Sequence, residues 1–130
     1  MAFDVRVDEE RGVVVAEVIG AIDAQSTVEV VGRAREASKA SGLNILYDMR
    51  RAITGDMSSG ALFWIPRQVP QLQGVAARRT RVALLHLPQY AAMAQYWEDT
   101  FRNAGLSARA FTDDEEAGDW LSPTRPAPSA

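Results

Sequence analysis

The sequence predicts a single α/β domain built on one mixed, mainly parallel five-stranded sheet with about four helices. Short runs rich in β-branched residues alternate along the chain with longer segments whose apolar residues recur at helical spacing. The chain has 130 residues, of which 47% are hydrophobic, and this suits one domain with a buried core. We expect the domain to span residues 1–121 and a flexible, Pro-rich tail to occupy 122–130.

The opening residues predict a β-hairpin. Phe3, Val5 and Val7 alternate with polar residues, which is typical of a half-buried strand. A polar turn at 9–12, ending in glycine, leads into the β-branched run at 13–19. The first two strands are therefore expected to pair antiparallel.

A helix and a buried strand follow the hairpin. Asp23 or Ser26 is placed to cap a helix whose apolar residues share one face, and Gly42 is placed to end it. The mostly apolar segment at 43–49 predicts a short strand covered on both faces, as in a parallel sheet.

The second half repeats the alternation of strands and helices. A strand is expected at 81–87, a helix over 88–105 with Pro at its start and Gly at its end, and a strand at 106–111. Thr112 or Asp113 then caps a final helix. Helices between neighbouring strands imply right-handed parallel crossovers.

Composition excludes several classes of protein. There is no cysteine, so disulfides, thiolate nucleophiles and sulfur-based metal sites are excluded. The net charge of −3 argues against general nucleic-acid binding, which needs a basic face. The chain contains neither a secretory leader pattern nor a long apolar stretch, so we expect a soluble, cytoplasmic protein without an integral membrane segment.

The candidate site lies where the third strand gives way to the second helix. Asp48 follows a buried run, and Asp56-Met57-Ser58-Ser59-Gly60 opens a strongly apolar segment. A helix N-terminus favours an anionic group because its first backbone N–H groups have no partner in the helix. Open α/β sheets bind ligands beyond the carboxyl ends of their strands, where we expect Asp48, this loop and His86.

Each of these residues also has a structural interpretation. Ser58 or Ser59 is placed to cap the helix rather than to carry a phosphate. Asp48 and Asp56 are too few for a magnesium site, so neither a metal nor a cofactor is expected. A hydrolase would need Ser58 or Ser59, His86 and Asp48 together, but the Gly-x-Ser-x-Gly elbow is absent. We therefore expect a non-enzymatic protein.

The second helix is apolar around its circumference. One face of 62–65 can pack on the sheet, while the other must meet another surface or ligand. Pro66 is expected to kink or end the helix near Ile65, and residues 66–75 are expected to form a mobile flap. The alternative is that the aromatic residues here belong to the core. The candidate residues of a pocket or interface are Phe63, Trp64, Tyr90 and Trp97.

Two groups of arginines are expected at opposite ends of the sheet. Arg78, Arg79 and Arg81 precede the fourth strand, and Arg50 and Arg51 follow the third. Each group is interpreted as a solvated face, with binding of an acidic partner as the alternative.

The chain resembles the STAS fold, especially its SpoIIAA-like (STAS/SEC14-like) branch, over roughly residues 3–121. The resemblance rests on the order of elements, the segment from Asp48 to Gly60 and the closing run from Phe111 to Leu121. In anti-sigma-factor antagonists of that superfamily, an Asp-Ser-Ser-Gly motif carries a serine that a partner kinase phosphorylates. The resemblance implies Ser59, with Ser58 beside it, as the phosphoacceptor. This chain differs by inserting Met57 after the Asp and by placing Pro66 and Pro70 soon afterwards.

The leading hypothesis is a regulatory module that binds another protein or a second copy of itself, switched by serine phosphorylation at the start of the second helix. The alternative is a carrier or sensor of a small, lipid-like apolar molecule, which the SEC14-like resemblance and the Phe63-Trp64 region would suit.

Overall fold

Five strands form one sheet, as the sequence predicted, and the helices lie on both of its faces. The computed structural model describes residues 2–53, 59–72 and 74–122. The elements are β1 (Ala2–Asp8), β2 (Val13–Ala21), α1 (Ala24–Ser41), β3 (Asn44–Ile53), α2 (Ser59–Gln68), α3 (Val75–Arg79), β4 (Arg81–Leu85), α4 (Ala91–Asn103), β5 (Ser107–Phe111) and α5 (Asp114–Leu121), with short 3-10 turns at Pro70–Leu72 and Pro88–Tyr90.

The strands are arranged in chain order, β1-β2-β3-β4-β5, with only the β1–β2 pair antiparallel. Each parallel strand is thus added on the same side of the one before it. Since parallel crossovers are right-handed, crossovers that all proceed in one direction must place their helices on one face of the sheet. The helix α5 follows the last strand and packs on the opposite face.

Alternating residues of the strands supply the two halves of the core. On the helical face, which α1, α2 and α4 cover, buried strand residues meet Val31, Ile65 and Trp97 of those helices. On the α5 face, the other set of strand residues meets Trp120 and Leu121. In β3 the alternation is direct, because Ile45 and Tyr47 point to the helical face and Leu46 to the α5 face.

Side-chain and glycine caps set the ends of α1. Asp23 accepts a hydrogen bond of 2.8 Å from the backbone N–H of Ser26, which satisfies one donor of the first turn. Gly42 takes the left-handed conformation with φ of 75°, and its N–H donates to the carbonyl of Ser38. Asp113 caps α5 in the same way as Asp23 caps α1.

The strand β3 is longer than predicted and runs to Ile53 rather than stopping at Met49. Beyond the end of β4 it continues to pair with β2, through Ile19 with Arg51 and Ala21 with Ile53, after a register shift between Glu17 and Ile19. The last residues of β3 therefore pair with β2 and not with β4. The sequence pattern missed this extension because charged residues end the apolar run.

Pro66 does not end α2, which corrects that part of the prediction from sequence. The helix continues through Pro66 to Gln68, and the residues that follow are anchored because Val69 and Leu72 are buried in the core of the helical face. Burial of these side chains offsets the hydrogen bond that proline cannot make. The short helix α3 leads from this segment into β4.

Arg81 belongs to the interior rather than to a solvated face, which corrects the interpretation from sequence. Its side chain is 9% exposed, and its Nη1 donates to the carbonyl of Trp120 at 3.1 Å. Its backbone N–H donates to Oδ1 of Asn44, whose Nδ2 donates to the carbonyl of Leu121. Arg81 and Asn44 therefore join α5 to the amino-terminal edge of the sheet. Arg78 and Arg79 are exposed, as expected.

Two buried polar side chains on the helical face each have an atom without a described hydrogen-bond partner. Tyr47 Oη and Arg35 Nε have no hydrogen-bond partner among the described residues, although Arg35 Nη1 donates to the carbonyl of Ala77. Burial raises the pKa of Tyr47 to about 12, which the nearby charge of Arg35 opposes. Burial likewise lowers the pKa of Arg35. An unsatisfied hydroxyl in the core costs stability.

We expect Tyr47→Phe to leave the free energy of unfolding unchanged or to raise it by about 1 kcal/mol, because the variant removes an unpaired hydroxyl without a cavity. The wild-type protein should also lose stability between about pH 10, where an exposed tyrosine ionises, and about pH 12, because the unfolded chain loses its proton first. Urea unfolding at neutral and alkaline pH measures both effects. A variant destabilised by several kcal/mol would show that the hydroxyl has a partner.

Candidate functional site

Asp48 lies inside β3 and not at its end, which corrects the prediction from sequence. It is opposite Leu85, the last residue of β4, and opposite Glu17 of β2. Asp48 is thus level with the carboxyl end of β4, but β2 and β3 extend past it. The strand order never reverses, so the described sheet has no switch point at which a ligand crevice would open.

Arg50 holds the Asp48 carboxylate from two residues along the same strand. Its Nη2 donates to Oδ2 at 2.8 Å and its Nε to Oδ1 at 3.0 Å, and its backbone N–H also donates to Oδ1. Burial by itself would raise the pKa of Asp48. The hydrogen bonds from Arg50 and the charges of Arg50 and Arg11 outweigh that effect and lower the pKa below its ordinary value. Asp48 is therefore an ionised partner of Arg50 and not a poised general base.

Asp48 belongs to a row of carboxylates that crosses the α5 face of the sheet. The strand register places Asp4 opposite Glu17 and Glu17 opposite Asp48. Arginines accompany the row, since Arg6 and Arg51 each lie 3.8 Å from Glu17. We call this surface the charged face. The residues of the charged face are Asp4, Arg6, Glu17, Asp48, Arg50 and Arg51.

The charged face follows from how little of this side α5 covers. The helix packs over β3 and β4, and Arg11 before β2 reaches its first residue, Asp114, at 2.7 Å. On this side, α5 does not cover β1 or the carboxyl-terminal parts of β2 and β3, and charged residues occupy these positions. Exposed ion pairs of this kind add little stability. The sequence signal that would have identified the surface is the alternation of charge with apolar residues in β1.

His86 lies on the opposite side of the sheet from Asp48. It follows β4 on the helical face, where it lines a cavity with Met49 and Leu84, whereas Asp48 shares the α5 face with Leu46. His86 is buried, and its Nδ1 lies 2.7 Å from the carbonyl oxygen of Leu87. The two side chains therefore share an edge of the sheet but are separated by the sheet itself.

Tyr90 and Trp97, two of the predicted pocket residues, line the same cavity as His86. The cavity has a volume of about 10 Å³, which is no more than one water molecule needs. A second apolar cavity, beside Tyr47 and Phe101, measures about 20 Å³. As they stand, neither of these two cavities has room for a lipid chain. Trp97 is a core residue, stacked on Phe101 with ring centroids 4.7 Å apart.

Trp64 does not line either of these two cavities and faces outward. Its side chain is 54% exposed, although the next residue, Ile65, is fully buried. The guanidinium of Arg67 lies 5.6 Å from the centre of the Trp64 ring, which is a cation–π contact between residues one helical turn apart. Sequence reasoning did not single out Arg67, and its i, i+3 spacing from Trp64 is the signal that was available.

The remaining predicted site residues fall at the limit of the description. Asp56 and Ser58 lie outside the described residues. Ser59 and Gly60 are the first two residues of α2, and Phe63 lies within it; the description of these three extends to the helix alone. The predicted transition from strand to helix after Asp48 is thus present, with Ile53 as the last residue of β3 and Ser59 as the first of α2.

The described parts of the chain contain neither a metal-binding cluster nor a membrane-spanning helix. Within 2–53, 59–72 and 74–122, no three acidic or histidine side chains lie close enough to share a metal ion. Among the same residues, none of the helices combines the length and the apolar content that crossing a bilayer requires.

Comparison with known proteins gives likenesses in structure and none in sequence. No family model matches the chain, and no curated protein matches it in sequence. The chain is similar to the crystal structure of an uncharacterized protein from the DUF3478 family with a SpoIIAA-like fold, from Shewanella loihica PV-4. The two share 15% sequence identity with a TM-score of 0.49, and the match covers 93% of each chain.

We expect Asp48→Asn to lower the free energy of unfolding by about 1 kcal/mol at pH 7, because it removes a charged and partly buried partner of Arg50. A carboxylate with a lowered pKa stabilises the fold above its unfolded-state pKa, and this contribution is lost as the pH falls through the folded-state value. The gap between variant and wild type should therefore close toward about pH 3.

Urea unfolding at both pH values measures this difference. Asp119→Asn, at an exposed carboxylate of α5, is the matched control and should change little at either pH. A gap for Asp48→Asn that is as large in acid as at pH 7 would contradict the assigned role of the charge.

Proposed function

We propose that this chain is a non-enzymatic protein-interaction module of the STAS/SpoIIAA-like type, which docks a partner protein through the outer surface of α2 around Trp64. The observation that carries the proposal is the exposure of Trp64 beside a fully buried Ile65. A large aromatic side chain held at the surface by its own helix supports a binding role, since Trp and Arg are enriched among the residues that dominate binding energy.

The helix gives this surface a rigid base. It packs between α1 and α4 on the helical face, and Ile65 fixes its rotation by entering the core. Arg67 supports the Trp64 ring and adds a positive charge beside it. A partner that offers an apolar pocket with an acidic rim matches this chemistry.

Phosphorylation of Ser58 or Ser59 is the proposed switch. A phosphate would add about two negative charges at the start of α2, where the helix dipole stabilises an anion. The same charge would repel an acidic partner from the nearby Trp64 and Arg67. The support is the position of Ser59 as the first residue of α2 together with the resemblance to the Asp-Ser-Ser-Gly motif. In this proposal, a separate kinase performs the chemistry and this chain performs none.

The docking surface is tested by Trp64→Ala. We expect the variant to fold with unfolding free energy within about 0.5 kcal/mol of wild type, because the side chain is exposed. Proteins retained by immobilised wild type should be lost, with affinity reduced roughly tenfold or more. Quantitative mass spectrometry of the retained proteins, followed by titration of the main one, measures this. Arg102→Ala, on the exposed side of α4, is the matched control and should retain them.

The switch is tested by intact mass after expression with endogenous kinases. We expect an added mass of one phosphate on wild type and none on a Ser58→Ala/Ser59→Ala variant, with the phosphorylated form binding the same partner more weakly. Unmodified wild type, together with partner binding that the double variant leaves unchanged, would count against the switch and leave the Trp64 surface standing.

A further inference from the structure

The strand β1 is an edge strand of the sheet, with no described strand on its outer side. It lies at the end of the strand order and pairs with β2 from Ala2 opposite Ile19 to Asp8 opposite Val13 without interruption. It contains neither proline nor glycine, and its register carries no bulge. A regular edge strand of this length presents backbone donors and acceptors that another strand can pair with.

The two sides of β1 differ in chemistry. Phe3 and Val5 pack toward the core of the helical face, and Val7 follows them by alternation and remains 43% exposed. Asp4 and Arg6 belong to the charged face, where Arg6 Nη1 lies 2.9 Å from Asp4 Oδ2. The edge is therefore an apolar row on one side and a row of opposite charges on the other.

We propose that β1 pairs antiparallel with β1 of a second copy of this chain, about a two-fold axis at Val5. In that register Val5 faces itself, Asp4 faces the second copy's Arg6, and Phe3 faces the second copy's Val7. Both rows are then self-complementary, as a two-fold interface requires. The sheet becomes continuous across the two copies, and the exposed Val7 gains an apolar partner.

Other two-fold registers are less favourable. A centre at Asp4 or at Arg6 would place like charges directly opposite each other, which destabilises a strand pair. A centre at Phe3 or at Val7 would align only part of the strand. The centre at Val5 alone aligns all of Ala2–Asp8 and pairs opposite charges.

The flank of β1 carries both signs of charge. Arg33 of α1 lies over the Phe3 ring at 5.3 Å and forms an ion pair of 3.1 Å with Glu29. Two copies brought together here would therefore meet mixed charges and not a surface of one sign. The Trp64 surface lies on α2, whereas the proposed dimer interface is formed by β1. This proposal therefore does not depend on the proposed function.

Charge reversal tests the register. Sedimentation of wild type should show a concentration-dependent species at twice the chain mass of 14.2 kDa. Arg6→Asp and Asp4→Arg should each weaken it roughly tenfold or more, because each sets like charges opposite. An equimolar mixture of the two variants should restore dimers, and so should the double variant Asp4→Arg/Arg6→Asp. Arg109→Asp, on the opposite edge strand β5, is the matched control and should not weaken the dimer.

A disulfide trap keeps the test independent of how the charge variants fold. The chain has no cysteine, so Val5→Cys introduces a single thiol that would face its own copy. Residues directly opposite in antiparallel strands have Cα atoms about 4.5–5.5 Å apart, within the range of a disulfide. Val5→Cys should therefore form covalent dimers faster than Val7→Cys, although Val7 is the more exposed position.

Three results would overturn the proposal. The first is a wild-type protein that stays monomeric at high concentration. The second is a dimer that is weakened by Arg109→Asp but not by Arg6→Asp. Faster cross-linking at Val7 than at Val5 would show that collisions follow exposure and not the proposed pairing.

Discussion

The rest of this structure depends on one constraint, namely that the strands of the sheet follow one another in chain order. Every parallel strand is added on the same side of its predecessor, so right-handed crossovers confine α1, α2 and α4 to one face. Of the described helices, α5 is the one on the opposite face; it follows the last strand and is fixed by hydrogen bonds from Asn44 and Arg81 to its last carbonyls. One side of the sheet is crowded, and the other is only partly covered.

This asymmetry determines which surfaces are available for interaction. On the crowded side, α2 has neighbours on both flanks and the sheet beneath it, and Trp64 and Arg67 lie on its outer surface. On the open side, the parts of the strands that α5 does not cover carry paired charges, and Arg50 binds the carboxylate of Asp48. A sheet that never reverses its strand order has no crevice at a switch point. Two surfaces of the described residues therefore stand out, namely the outer surface of α2 and the charged face.

Local chemistry predicted those parts of the fold that neighbouring residues determine. The helix α1 begins after Asp23 and ends before Gly42 as expected, because capping needs only nearby backbone groups. The length of β3 and the passage of α2 through Pro66 depend on distant partners, namely the extension of β2 and the burial of Val69. Sequence could not separate the aromatic residues into core and surface, because whether Trp64 faces outward depends on how α2 is rotated against the sheet.

The three tryptophans provide the most direct test of this account. Trp97 is buried on the helical face, Trp120 is buried on the α5 face, and Trp64 is mostly exposed. A soluble paramagnetic agent, added while the three indole N–H signals are observed by NMR, reports the exposure of each ring. The account predicts strong broadening of the Trp64 signal and little broadening of the other two. A Trp64 signal as protected as that of Trp97, or a Trp120 signal as exposed as that of Trp64, would contradict it.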